Sequence, residues 1–154
     1  MVGYDCNGNE FYIDKDDFEK VKNFSWHFDN KGYVVSSVQN KANIKMHRLI
    51  INCPDDLQVD HKNGCKNDNR KSNLRICTPS QNSMNKKIRN KYGMSGIYKT
   101  NNTWCATIGK NGTNFFLGCY KTEKEAKIAR KNAEDNMFKE FSYFNSRGET
   151  LNVK

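Results

Sequence analysis

Apolar residues fall in short clusters, and their spacing changes along the chain. Over residues 2–13 the pattern predicts a hairpin. Asn7-Gly8 is the turn, with Tyr4 on one side and Phe11, Tyr12 and Ile13 on the other. Asp14 is placed to cap a short helix from Lys15 to Lys22, with Asp17 at its third position and Phe18 and Val21 on one face. Phe24, Trp26 and Phe28 alternate as in a strand, Asn30-Lys31-Gly32 turns the chain, and Tyr33-Val34-Val35 returns it. Ile44-Lys45-Met46 predicts another strand leading into a short segment from His47 to Asn52. Cys53-Pro54-Asp55 stops that segment, because the residue before a proline is kept out of the helical region.

The centre has a different grammar. Leu57 to His61 is a short strand, residues 62–72 are a polar loop, and Asn73 to Cys77 is a second strand. Thr78-Pro79-Ser80-Gln81 then opens a helix: Thr caps, Pro takes the first helical position and Gln closes a capping box. That helix carries Asn82 and is expected to run to about Lys87, which makes residues 57–90 a ββα unit. Residues 88–95, with Arg89, Lys91 and Gly93, are expected to form a linker. Three strands follow at 96–100, 103–110 and 113–119, joined by Asn101-Asn102 and by Asn111-Gly112, the stronger hairpin signal. Ile97, Trp104, Ala106, Ile108, Phe115 and Leu117 are expected on one face of this sheet. Tyr98, Thr100, Thr107, Asn114 and Phe116 are expected on the other. Thr122 and Glu125 make a second capping box, and Ala126, Ile128, Ala129 and Ala133 give a helix slim enough to lie on the sheet. The expected class is α+β in three parts. A small β-rich segment spans 1–56, the ββα unit spans 57–90, and a three-stranded antiparallel sheet packed on one helix spans 91–154.

Composition supports small modules. The apolar fraction is 36% over 154 residues, low against the roughly 45–50% of a single compact globule. No apolar run approaches the length that crosses a membrane. Met1-Val2-Gly3-Tyr4-Asp5 is not a secretory leader, so an intracellular protein is expected. Six cysteines contain no C-x-x-C pair; reduced thiols are expected, and no structural zinc. The net charge of +9 is unevenly placed. Residues 1–56 hold seven bases and nine acids, residues 57–91 nine bases and two acids, and the remainder ten and six. A basic centre with a milder basic tail is the footprint of a polyanion binder.

The reactive groups lie in that basic centre. Asp60 and His61 are neighbours at a strand end, so their side chains leave opposite faces. One can bind a metal while the other faces substrate. The following helix offers the Asn82 amide oxygen as a second ligand. Such a sparse, hard oxygen pair leaves room for water and phosphate, which suits Mg²⁺ or Mn²⁺. His61 is then placed to take a proton from a water that attacks phosphorus in line.

The stretches His47-Arg48-Leu49-Ile50, Val59-Asp60-His61-Lys62-Asn63-Gly64, Asp68 to Arg75 and Ser80-Gln81-Asn82 resemble the HNH endonucleases of the homing type. Their active site is a ββα-metal fold. The resemblance implies that His61 is the catalytic histidine, that Asn73 is the middle Asn holding the loop, and that Asp60 and Asn82 hold the metal. Asp14, Trp26, Gly32, Tyr33 and Met46-His47-Arg48 resemble the region before the motif in phage- and intron-encoded members. Residues 93–145 resemble the Apetala-two/ERF DNA-binding domain through Ser95-Gly96-Ile97-Tyr98, Trp104, Ile108, Phe116-Leu117-Gly118, Thr122, Glu125-Ala126 and Phe144-Asn145. That family reads the major groove with the sheet face away from the helix, here Tyr98, Thr100, Thr107, Asn114 and Phe116. The plant domains carry several arginines on this face and this chain does not, so readout by Arg–guanine pairs is not expected.

The implied function is a metal-dependent endonuclease acting on double-stranded DNA, as monomer or homodimer, with nicking the expected mode and a virus or intron the expected source. The alternative is a DNA-binding regulator whose nuclease motif is inactive. Arg48, Arg70, Lys71 and Arg75 are expected to contact phosphate. His47 is expected to be structural or to touch phosphate, His27 to sit at the core edge, and Trp104 to lie in the sheet core.

Overall fold

A computed structural model describes residues 1–37, 43–88 and 90–149; Arg89 of the expected linker lies outside them. The chain forms two compact units, Met1–Pro79 and Ser80–Lys154. It is an α+β protein of several small antiparallel sheets with few helices. Among the described residues no helix is long and apolar enough to cross a membrane.

In the first unit, β1 (Val2–Tyr4) and β2 (Glu10–Tyr12) form the expected hairpin. Its turn is held by Asp5, whose Oδ1 accepts from the Asn7 and Asn9 backbone N–H groups at 2.9 and 2.7 Å. A 3₁₀ turn (Lys15–Asp17) runs into α1 (Phe18–Val21). Asp14 does not cap it; its Oδ2 accepts from the Lys71 backbone N–H at 2.8 Å instead. Val21 enters the core, but Phe18 stays 43% exposed because the helix is one turn long and shows the core only one residue. β3 (His27–Phe28), β4 (Val34–Ser36) and β5 (Ile44–Lys45) make a three-stranded sheet, and β5 feeds directly into α2 (Met46–Ile50). Of the expected 24–28 strand only the last two residues pair; Trp26 turns inward, and its Nε1 donates to the Val21 carbonyl at 2.9 Å. His27 is half-buried.

β6 (Gln58–His61) pairs antiparallel with β7 (Leu74–Cys77). Val59 and Leu74 join Phe11, Ile13, Met46 and Ile50 in one apolar core. The segment before residue 57 and the strand pair after it are therefore stabilised together. Burying such a side chain contributes about 1.5–3 kcal/mol.

In the second unit, β8 (Ile97–Thr100), β9 (Thr103–Lys110) and β10 (Thr113–Tyr120) form the expected sheet in the order β10-β9-β8. Its turns use positive φ at Asn101 (47°) and Asn111 (52°). Gly96 precedes the sheet with φ 77°, and an added Cβ would lie 2.1 Å from the Thr107 carbonyl oxygen, so only glycine fits there. α3 (Pro79–Met84) is shorter than expected. The expected linker is core: Met94 is fully buried beside Ile97, Ala106 and Ala126, with Ile88 and Tyr92 packed on the same cluster. A mostly polar stretch hides these three apolar residues from composition alone.

α4 (Glu123–Met137) starts on the Thr122–Glu125 capping box. Ion pairs four residues apart brace it: Glu123–Lys127, a buried Arg130–Glu134 and Lys131–Asp135. A 3₁₀ turn (Lys139–Phe141) and α5 (Tyr143–Arg147) follow. Ile97, Ala106 and Ile108 are buried as expected, and Trp104 and Leu117 pack on the cluster. Phe115, expected inside, is 44% exposed, and the register shifts between Phe116 and Gly118. The bulge lies beyond Phe115, which still pairs in regular register with the buried Ile108, so it breaks the strict alternation only from Leu117 onward.

Cys105 and Cys119 oppose each other in the β9–β10 register and are joined by a disulfide, which corrects the expectation of six reduced thiols. Cys6, Cys53, Cys65 and Cys77 are free thiols. Sequence spacing shows C-x-x-C motifs but not cross-strand register, and register is what brings these two together. Non-reducing peptide mapping is expected to recover Cys105 and Cys119 on one linked peptide pair; two alkylated peptides would refute the bond.

Candidate active site

The β6–β7 pair sets the site. Asp60 and His61 close β6, 6% and 4% exposed, with side chains on opposite faces as the strand period demands. Arg75 is the cross-strand partner of Asp60 in β7. Its Nε and Nη2 both donate to Asp60 Oδ2, at 2.8 and 2.5 Å. Both side chains are nearly out of solvent, 11% and 7% exposed, so this charge-assisted pair offsets the burial of the carboxylate.

His61 lies on the other face. Its Nε2 is 3.3 Å from Asn69 Oδ1. The His47 ring stands nearly edge-on to it, centroids 5.2 Å apart, and Tyr33 packs against both imidazoles. Burial is the largest influence on His61 and pushes its pKa below the ordinary imidazole value, against the opposing pull of Asn69 and Asp60. The neutral imidazole, which can accept a proton, is therefore the form favoured at neutral pH. Burial is the largest influence on His47 as well, with the His61 ring adding to it, and His47 is pushed down to about 3. His47 Nδ1 is buried without a hydrogen-bond partner.

The loop between the strands is held from within. Asn73, 7% exposed, accepts from the Asn63 backbone N–H at 3.0 Å through Oδ1 and donates to the Asp68 carbonyl at 2.8 Å through Nδ2. It thus ties both ends of the loop that follows His61. β2 straps the same loop from outside: Tyr12 N–H donates to the Asn67 carbonyl and Asn69 N–H to the Tyr12 carbonyl, each at 2.8 Å.

The basic residues expected at phosphate all have protein partners. Arg48 donates to the carbonyls of Leu57, Cys53 and Pro54, fastening the turn before β6. Arg70 makes a bidentate pair with Asp68 and holds that carboxyl below its ordinary range. Lys71 pairs with the fully buried Asp17 at 2.9 Å. Arg70 and Lys71 remain about half exposed, at 48% and 49%. Asn82 is half-buried on α3, the helix that begins two residues after β7. In the second unit Tyr98, Thr100, Asn114 and Phe116 are exposed and Thr107 is half-buried, on the face that also carries the disulfide.

Residues 52–84 match the family described as HNH endonuclease. An uncharacterized HNH endonuclease of Acanthamoeba polyphaga mimivirus is 32% identical over 142 residues, covering 88% of this chain and 74% of its own length. This chain belongs to the HNH endonuclease family. No solved structure matches it. The matched span contains β6, the loop, β7 and α3, so the HNH motif of this DNA nuclease coincides with the constellation just described. Sequence reasoning named Asp60, His61 and Asn73. It gave no role to Asn69 or to the Asp60–Arg75 pair. Asn69 stood within the quoted motif but had no chemical signature, and Arg75 was indistinguishable from a phosphate-binding base until strand register was known.

Proposed function

We propose that this HNH endonuclease is a divalent-metal-dependent enzyme of the homing type that nicks double-stranded DNA. The observation that carries the reading is the buried Asp60–His61 pair, with a carboxylate on one face of the strand end and an imidazole kept neutral by burial on the other. Asp60 and Asn82 would hold the metal. Their chemistry fits: a carboxylate and an amide offer hard oxygens only, and two ligands leave most of an octahedral shell to water and phosphate. Bound there, Mg²⁺ or Mn²⁺ would stabilise charge developing at the phosphate and the leaving oxygen.

The chain's own groups do the rest. His61 removes the proton from the attacking water. Asn73 keeps the loop closed so that His61 is presented in one orientation. Arg70 and Lys71, half exposed at the loop, can meet phosphate while keeping their carboxylate partners; Arg75 is nearly buried on Asp60, and Arg48, half-buried, is held by backbone carbonyls. The Apetala-two/ERF likeness of the second unit supports a DNA-positioning role for the face bearing Tyr98, Thr100, Thr107, Asn114 and Phe116. Aromatic and amide groups suit tolerant contact with base edges.

One base and one metal per chain cut one strand per encounter. On supercoiled plasmid with Mg²⁺, the full chain is expected to build up the open circle before any linear product, and EDTA is expected to stop it. Linear product formed without an open-circle intermediate would sink the single-site picture. DNA binding without cutting in either metal would instead favour the regulator with an inactive motif.

A further inference from the structure

We infer that Asn69 is the positioning residue of the catalytic histidine: it fixes His61 as the Nε2–H tautomer and so makes Nδ1 the nitrogen that accepts the proton. The inference rests on the proposed role of His61 as base. Asn69 is fully buried beside the buried Asp68, in a polar loop where an asparagine is ordinarily solvated. Its backbone is fixed to Tyr12 of β2, and its side chain lies between the Asn67 carbonyl, which can only accept, and the His61 ring.

Amide orientation decides the tautomer. Asn69 Nδ2 donates to the Asn67 carbonyl at 3.4 Å. That carbonyl can only accept, so the NH₂ end must point to it. Turning the amide over would set its carbonyl oxygen against another carbonyl oxygen inside the protein. Asn69 Oδ1 therefore faces His61 Nε2, at 3.3 Å. An amide oxygen can only accept, so the ring nitrogen must be the donor. In a neutral imidazole the proton on Nε2 leaves Nδ1 as the basic nitrogen. When Nδ1 takes the proton from water, Asn69 Oδ1 still accepts from Nε2–H, so no partner is lost as the ring becomes cationic. His47 and Tyr33 wall the ring by packing. The contact to Asn69 is directional, and it selects one of the two ring nitrogens. The strap from β2 to residues 67–69 means that the N-terminal hairpin, far from the motif in sequence, sets the angle of the base.

The test reads the tautomer directly and then the rate. Long-range ¹H–¹⁵N spectra of the parent protein are taken above the titration of its histidines, with His61 assigned by its loss in His61→Gln. The expected spectrum has the proton on Nε2; a proton on Nδ1 overturns the inference without any variant. Asn69→Leu keeps the size and removes the acceptor. It is expected to lower kcat on plasmid by about 10- to 10²-fold, part of what a general base supplies, with KM for DNA unchanged. Asn69→Asp restores an acceptor and is expected to recover most of that loss. Both variants folded and cutting at the parent rate would show that the contact does not matter. Equal loss in both, with the Nε2–H signal retained, would show that Asn69 only closes the loop. A His61→Ala protein that cuts like the parent would remove the assignment of the base, while the ring spectrum would still decide the Asn69–His61 contact.

Discussion

His61→Ala is expected to cut DNA at least about 10²-fold more slowly than the parent, the lower range for loss of a general base, while DNA affinity changes little. The two effects separate because His61 is 4% exposed, its ring enclosed by His47, Tyr33 and Asn69. It adds almost nothing to the surface that meets the DNA backbone, and as a neutral ring it adds no charge to a phosphate. Phosphate neutralisation sets affinity and its salt dependence, so binding should follow the lysines and arginines and not the imidazole. The measurement is single-turnover nicking at saturating protein, beside a binding–salt slope for both proteins. Cleavage retained in His61→Ala would displace the base from this position. A lost salt slope would show that the substitution has disturbed the fold, and the rate would then say nothing about chemistry. Above the His61 titration the parent rate should be flat with respect to this group. The acid limb of its profile should lie lower than an exposed imidazole would give, because burial resists the charged form.

What the sequence conveyed depended on whether the information was local. The β1–β2 hairpin is written in Asn7-Gly8, the entry to α4 in Thr122 and Glu125, and the sheet of the second unit in alternation plus Asn111-Gly112. These signals span a few residues and are decided by backbone geometry and capping. The Asp60–His61 pair was legible for the same reason: the strand period alone sends adjacent side chains to opposite faces. Long-range pairing was not legible. Arg75 looked like a phosphate ligand because its partner is 15 residues away and chosen by register. Asn69 looked like loop filler because its neighbours are Tyr12 and His61, one from a distant hairpin. Cys105 and Cys119, 14 residues apart, show the same limit. The stretch at 88–95 was misjudged for a different reason. Three apolar residues among polar ones are enough to anchor a segment when Met94 is completely buried.

Acidifying the protein from pH 7 to 5 is expected to cost the first unit about 2 kcal/mol of stability through His47 alone. The sign follows from which state binds the proton. In the unfolded chain His47 titrates near the ordinary imidazole value of 6.5; in the fold it is pushed down to about 3. Between those values the unfolded state carries the proton and the folded state does not. Stability is therefore fully present above the unfolded value and falls as the pH drops toward the folded one, at about 1.4 kcal/mol per pH unit for one group. The cause is physical confinement: His47 is 4% exposed, Lys45 and Arg48 flank it, the His61 ring stands against it, and Asp29 opposes them only weakly. The lowered carboxyl groups of Asp5, Asp17 and Asp68 act in another window, below the ordinary carboxylate value of 3.8, so they do not blur this one. His61 is depressed as well and adds to the same slope. His47→Phe isolates the effect. Phenylalanine keeps a ring against Tyr33 and His61 and removes Nδ1, which is buried without a partner. At pH 7 the variant should be at least as stable as the parent, since an unsatisfied buried polar atom costs about 1–3 kcal/mol. At pH 5 its advantage should be larger by about 2 kcal/mol, the contribution of the titrating ring. Urea unfolding of both proteins at the two pH values gives the comparison. Parallel losses in parent and variant would show that His47 is not held neutral by the fold.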